Sequence, residues 1–189
     1  TLGAGGVAPY TDSTLWVGSH FNSYKILENG PLRSVFTLYY DTVKVNGKLY
    51  KQEITITADA GSVVNKAVVK LTGPAQNLKL ATGVVLHDGK GRLQKGGDLI
   101  VYGENAVSDA GANIGNHYVA VIHPVKGAVY KQDNVHALLI SDYKPGSEFT
   151  YYFGGGWSQW KFPTQKEWLA AVQQANKQFK YPLTIAVVK

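Results

Sequence analysis

Chemistry near neutral pH needs groups that take or hold a proton, and this chain offers five histidines, His20, His87, His117, His123 and His136, and no cysteine. No His-x-His or His-Glu-x-x-His spacing occurs, so no single element carries a metal pair. His117 and His123 fall on one face of one expected strand. Six residues at about 3.3 Å each put them roughly 20 Å apart, too far to share an ion. A single histidine working as general base beside a carboxylate is the chemistry left open. His117 and His136, on strands expected near a sheet centre, are the preferred candidates, with Glu53 as the carboxylate. For each histidine the competing reading is a hydrogen-bonded structural residue. Neither a metal nor a cofactor is expected.

The binding candidates come from two places. Arg33, Tyr39, Asp41, Lys51 and Glu53 share one face of an expected hairpin. There Arg33 or Lys51 would hold a carboxylate, Tyr39 would stack on a sugar ring, and Glu53 or Asp41 would move a proton. The same residues also fit a solvated outer face with cross-strand pairs. The second place is Gly154-Gly155-Gly156-Trp157-Ser158, where Trp157 is either a sugar-stacking platform or, with Trp160, core beneath a helix. No Lys-Ser or Lys-Thr follows Gly156, so this is not a phosphate loop, and no Gly-x-Ser-x-Gly elbow is present. Thr1 as an N-terminal nucleophile is a further reading, set against an ordinary chain end before a Gly-rich loop. An enzyme requires a concave site holding at least two of Arg33, Glu53, His117, His136 and Trp157.

These side chains need a scaffold, and the sequence reads as mainly β. Short runs of Val, Ile, Thr and Tyr alternate with turn residues every 8–12 positions or so. Strands are expected at Leu15–Val17, Ser23–Leu27, Arg33–Lys44, Lys48–Ala58, Val63–Leu71, Leu80–His87, Gly97–Tyr102, Gly115–Ile122, Ala128–Tyr130, Val135–Ile140, Glu148–Phe153 and Leu183–Val188. The clearest unit is the hairpin around Asn46-Gly47. A three-residue loop with Gly47 left-handed in a bulge pairs Lys44 with Lys48, Tyr39 with Glu53 and Asp41 with Lys51. That register puts Phe36, Leu38, Ile54 and Ile56 on one face and the charged residues on the other; a two-residue turn with unbroken pairing would mix them. One helix is expected after Pro163. Thr164-Gln165-Lys166-Glu167 is a capping box, and Trp168, Leu169, Val172, Ala175 and Phe179 form an apolar stripe, with Pro182 ending the helix. The expected architecture is an antiparallel β-sandwich with one C-terminal accessory α-helix.

Length, 189 residues without a linker-like stretch, suits a single domain spanning 1–189. The net charge of +6 fits general solubility or, as the sharper reading, a mild attraction to polyanions such as uronic-acid polymers. Only two arginines are present and the lysines are scattered, the densest group being Lys126 and Lys131. Nucleic-acid readout by arginine forks is therefore disfavoured. No apolar run approaches the roughly 20 residues that cross a bilayer. Without cysteine, disulfide scaffolds and thiol chemistry are excluded. The absence of methionine at the start suggests a processed product or a piece of a longer polypeptide.

Several signatures together resemble a known family. They are the run from Asn22-Ser23-Tyr24-Lys25 to Gly30-Pro31-Leu32-Arg33, then Tyr40-Asp41, Val45-Asn46-Gly47 and Ile56-Thr57-Ala58-Asp59-Ala60-Gly61-Ser62. Tyr151-Tyr152-Phe153 with Gly154-Gly155-Gly156-Trp157-Ser158, Phe162-Pro163 and Glu167-Trp168 complete them. The pattern is similar to the bacterial domain of unknown function 4861. The resemblance implies a curved, galactose mutarotase-like supersandwich. It also implies an exported protein, periplasmic or secreted, associated with polysaccharide utilisation and especially with uronate-rich glycans. It carries no catalytic motif. It further implies that the chain is the C-terminal portion of a longer protein, with a companion chain as one source of the missing N-terminal region. Two functional readings follow. One is a carbohydrate epimerase, lyase or hydrolase acting on acidic glycans, using His117, His136 and Glu53, with Arg33, Tyr39, Lys51 and Trp157 binding substrate. The other is a non-catalytic sugar-binding or structural subunit that pairs with a second chain.

Overall fold

The computed structural model describes residues 1–87, 90–124 and 127–184. In chain order the strands are β1 (Ala4–Thr11), β2 (Thr14–Leu15), β3 (Phe21–Asn29), β4 (Arg33–Val45), β5 (Lys48–Asp59), β6 (Asn65–Thr72) and β7 (Leu78–Val85). Then come β8 (Arg92–Gly96), β9 (Leu99–Val107), β10 (Asn113–Ile122), β11 (Val129–Gln132), β12 (His136–Tyr143) and β13 (Glu148–Trp157), followed by the helix α1 (Gln165–Lys180). Every strand pairing is antiparallel. One sheet has five strands in the order β11-β12-β7-β1-β2, the other eight in the order β3-β4-β5-β6-β13-β10-β9-β8. The expected sandwich is what forms.

Alternation along each strand decides the layers. From the large sheet, Ala67, Val69, Ile100, Val121, Phe149 and Tyr151 point inward to meet Leu80, Val84, Ala137 and Leu139 of the small sheet. The opposite face of the large sheet presents Leu99, Val101, Tyr118, Ala120 and Ile122 to the helix, whose Trp168, Val172 and Ala175 are buried there. The capping box forms as read: Thr164 N–H donates to Glu167 Oε2 at 2.8 Å and Glu167 N–H to Thr164 Oγ1 at 3.3 Å. The helix runs to Lys180, with Tyr181 as its cap and Pro182 just beyond. Asn176 Nδ2 donates to Asp98 Oδ2 at 3.0 Å, and Lys180 pairs with the same carboxylate, tying the helix end to the β8–β9 turn.

The hairpin corrects one expectation and keeps another. Arg33 pairs with Asp59, Tyr39 with Glu53 and Tyr40 with Gln52, the register that separates apolar from polar faces. The turn itself is two residues, Asn46 and Gly47, both with positive φ, flanked by the pair Val45–Lys48. A register shift between Tyr40 and Val43 reconciles the two phases. The bulge therefore lies in the strand, at Asp41–Thr42, rather than at Gly47, and Asp41 has no paired Lys51. Asn-Gly takes the primed turn because both residues tolerate a left-handed backbone, and its twist matches the strands. The extra residue is absorbed where packing permits.

Two strands escaped the sequence reading. β1 is rich in Gly and carries Pro9, which reads as loop, yet it pairs with β7 over five positions with a shift between Ala4 and Gly6. Its glycine serves packing: a Cβ on Gly5, which has φ +96°, would overlap the Phe153 side chain. Tyr151 Oη donates to Gly5 O at 2.9 Å across the sandwich. β8 is a short polar edge strand on β9. The expected strand at Leu183–Val188 and residue Lys126 lie at or beyond the limits of the described residues.

Candidate functional site

The inward row Ile100, Tyr102, Glu104 on β9 passes from core to rim. Ile100 is fully buried, and the Glu104 side chain is 23% exposed. On the neighbouring strand β10, His117 stands directly opposite Glu104. On β13, Trp157 stands opposite His117. Glu104, His117 and Trp157 thus share one inner face across three adjacent strands, because residues in register on antiparallel neighbours point the same way. The His117 and Trp157 rings meet edge to face with centroids 6.4 Å apart. Trp157 Nε1 donates to Ile114 O at 2.7 Å, which fixes the indole while leaving the residue 38% exposed.

Glu104 is held from two sides. Its Oε1 lies 2.7 Å from His87 Nδ1, and its Oε2 accepts from Tyr102 Oη at 3.0 Å. Tyr102 Oη in turn accepts from the His87 backbone N–H at 3.2 Å. Burial, and then the bond to Glu104, push the Tyr102 phenol up, so it remains a proton donor to the carboxylate. The result is an oriented carboxylate with an exposed imidazole on one side and a second imidazole and an indole facing it across the sheet. A carboxylate and a histidine can pass a proton, and an indole with apolar faces can carry a sugar ring. Among the described residues no group of three or more His, Asp or Glu gathers in a way that would hold a metal ion.

Of the seven residues named from sequence, the structure brings His117 and Trp157 together, on this rim. The others stand elsewhere. Arg33, Tyr39, Lys51 and Glu53 lie on the outer face of the large sheet, because the hairpin turns its apolar face inward. Arg33 is committed there to a fork with Asp59, Nε to Oδ1 at 2.5 Å and Nη2 to Oδ2 at 3.0 Å. That hydrogen bonding holds the Asp59 carboxyl below its usual range. His136 is on an interior strand, as expected, but in the small sheet. It shares a face with Leu138 and Ile140, which point away from the large sheet. Its Nδ1 is 3.6 Å from Asp133 Oδ1, and its Nε2 is buried without a partner among the described residues. His123 belongs to the core, stacked on Phe149 at 4.8 Å with Nε2 3.0 Å from Ser141 Oγ.

The Gly-Gly-Gly-Trp segment is also resolved. It is strand, not turn, and Gly154 and Gly156 face the helix side, where a Cβ on Gly156 would come within 3.0 Å of Phe162 and Trp168. Trp168 and Phe162 fill the core there, while Trp160 is 77% exposed. The sequence reading missed Glu104 and Tyr102, and had His87 only as one of five histidines, not among the preferred ones. Alternation through Ile100-Val101-Tyr102-Gly103-Glu104 was the available signal for Glu104. The approach of His87 from another sheet left no trace in spacing.

A second feature lies on the same inner face of the large sheet. A groove of about 690 Å³ opens over the inner face of β4 and β5, lined by Phe36, Leu38, Ile54, Ile56, Tyr151 and Phe153, and bounded by Thr1–Leu2 and Val17–His20. Phe153 and Trp157 lie four residues apart on one face of β13, about 13 Å at strand spacing.

Comparison with known proteins follows this geometry. The chain is 27% identical over 194 residues to Uncharacterized protein P7 of Formosa agariphila, matching 98% of this chain and 47% of that protein. It thus spans about half the length of the curated relative it matches. Among solved structures it is similar to a protein assigned as a kojibiose phosphorylase, from the human microbiome, with a TM-score of 0.58 at 13% identity over 94% of this chain and 26% of that one. At that identity the likeness is one of fold. The model of the domain of unknown function DUF4861 matches residues 1–185, and the chain therefore belongs to that family.

Proposed function

We propose that this chain acts in a carbohydrate-active protein, and that a saccharide meets it on the inner rim at Trp157, His117 and Glu104. The observation that carries the reading is the three-strand register that sets an indole, an imidazole and an oriented carboxylate side by side on a partly wetted face. A sugar ring would lie on the Trp157 face, and Glu104, positioned by Tyr102 and His87, would exchange the proton with His117 as its partner. The phosphorylase-like fold of the solved neighbour supports a carbohydrate context. Acidic, uronate-containing glycans are the favoured class, because the chain carries a net charge of +6 and two histidines flank the carboxylate. Arg33 is not needed for this, since its fork is occupied by Asp59 on the far face. The reading places the protein in the periplasm or outside the cell, where polymeric glycans are met.

The test is calorimetric titration and turnover against saturated and unsaturated uronate oligosaccharides, with neutral oligosaccharides alongside. Trp157→Ala should weaken binding about tenfold or more, the loss of about 1.5 kcal/mol of stacking. Glu104→Gln should keep binding and lower turnover at least 100-fold. Binding retained by the wild type without turnover would support the non-catalytic reading of the same rim. No binding and no turnover across the panel would sink both.

A further inference from the structure

The two sheets do not match in width, and the mismatch leaves a defined apolar surface. β1, β7 and β12 lie over β13, β10 and β9, so the five-stranded sheet covers one side of the eight-stranded one. At the other side β3, β4 and β5 overhang. The Asn46 end of that hairpin is enclosed, with Val43, Val45 and Tyr50 buried, and Ile54 and Ile56 of β5 are buried too, while Phe36 and Leu38 of β4 are only partly covered. Along the overhang Phe36, Leu38, Ile54 and Ile56 face the open groove. Tyr24 and Ile26 of β3 pair with Leu38 and Phe36 and so extend the same face, and they are 66% and 58% exposed. A contiguous apolar face of this kind exceeds what scattered surface residues explain. All nine residues of β3 are exposed, and among the described residues the strand ends the large sheet with an unpaired edge. The small sheet stops on the overhang side at the two-residue strand β2.

We infer that this overhang is the docking surface for a further β-rich polypeptide segment. That segment would continue the small sheet past β2 and lay alternate apolar side chains on β3, β4 and β5. Two observations select this occupant over a second copy. The strand deficit is on one side only, three overhanging strands beside a truncated five-stranded sheet, which a strand-forming segment fills directly. The matched relative P7 is about twice the length of its match to this chain, so that relative carries additional polypeptide of domain size. The inference is independent of the saccharide reading, since none of the overhang residues belongs to the Trp157 rim.

The experiment co-expresses the 189-residue chain with the part of P7 that lies outside the match. The expected result is a one-to-one complex by light scattering on a sizing column, with amides of β3 and β4 exchanging at least tenfold slower than in the chain alone. Ile26→Asp combined with Leu38→Asp should abolish the complex with unchanged circular dichroism, both positions being at least partly exposed. Lys70→Glu, on the outer face of β6, should leave the complex intact. Absence of a complex, β3 amides that exchange as fast as in the free chain, or a complex that survives the double substitution overturns the proposal. A dimer of the chain alone that the same double substitution dissolves would assign the face to a second copy and overturn it equally.

Discussion

His123 is wholly buried past the end of β10, stacked on Phe149, with Nε2 against Ser141 Oγ. Burial pushes its pKa down, against smaller opposing contributions from the Thr150 backbone and the Asp98 charge. The imidazole is therefore neutral in the folded protein near pH 7, while the unfolded chain protonates near 6.5. The unfolded state then binds more protons as pH falls below about 6.5. Stability declines from there until the lower folded pKa is reached, by at most about 1.4 kcal/mol per pH unit. Urea unfolding at pH 7.5, 6.5 and 5.5 should show this fall, and His123→Phe should flatten it; a slope unchanged by the substitution would exclude His123 as the source. The same scale separates legible from hidden site residues. Trp157 was readable because an aromatic beside three glycines is conspicuous, and His117 because alternation put it on an interior strand. Glu104 was hidden because its value comes from His87, which approaches from the other sheet. Arg33 stands away from this rim, its charge answered by Asp59 directly across the hairpin on the outer face of the large sheet.

At the scale of elements, β1 joins the two layers. Tyr151 Oη reaches Gly5 O, and burial pushes that phenol far up, so it stays a donor at every accessible pH. Tyr151→Phe should leave Gly5 O unpaired in the core and cost about 1–3 kcal/mol by chemical denaturation. A loss below a few tenths would mean water replaces the phenol. The strand-to-helix side has its own requirement. Gly156→Val would drive a side chain into Phe162 and Trp168, with an expected cost of about 1–3 kcal/mol and a changed near-ultraviolet dichroism of the buried indole. The hairpin, the helix and eleven of the thirteen strands were legible because period-2 and period-3.6 patterns and the capping box are local. β1 was not, since its Gly5 answers to Phe153, nearly 150 positions away in the chain. The turn at Asn46-Gly47 was misassigned for a related reason. Face separation fixed the register near Arg33 and Asp59, but nothing local said where along the strand the odd residue would go.

For the molecule as a whole, charge and surface predict behaviour that no single side chain carries. With a net charge of +6 and scattered lysines, attraction to a polyanionic glycan should be diffuse and therefore screened. Raising sodium chloride from 50 to 500 mM should weaken binding of uronate oligosaccharides several-fold, about 1 kcal/mol, and leave neutral oligosaccharides unaffected. Equal salt response for both classes would remove the acidic preference from the reading. The sandwich class followed from sequence because strands of alternating pattern have few ways to bury one face. The unequal widths of its sheets did not, because sheet membership depends on pairings between distant segments.

His117 and Tyr118 are consecutive residues that point in opposite directions, one to the rim and one to the helix layer, where Tyr118 Oη donates to Pro163 O at 3.3 Å. Beside them Ser158 Oγ accepts the Asn116 N–H at 2.7 Å, and Ser158 N–H returns a bond to Asn116 O at 2.9 Å. The height of the imidazole above its surface is thus governed from behind, by an anchorage that a bound molecule never meets. Loosening the packing beneath the helix at Phe162 or Trp168 would register at the front as a blurred geometry between indole and carboxylate, long before the sandwich itself gave way.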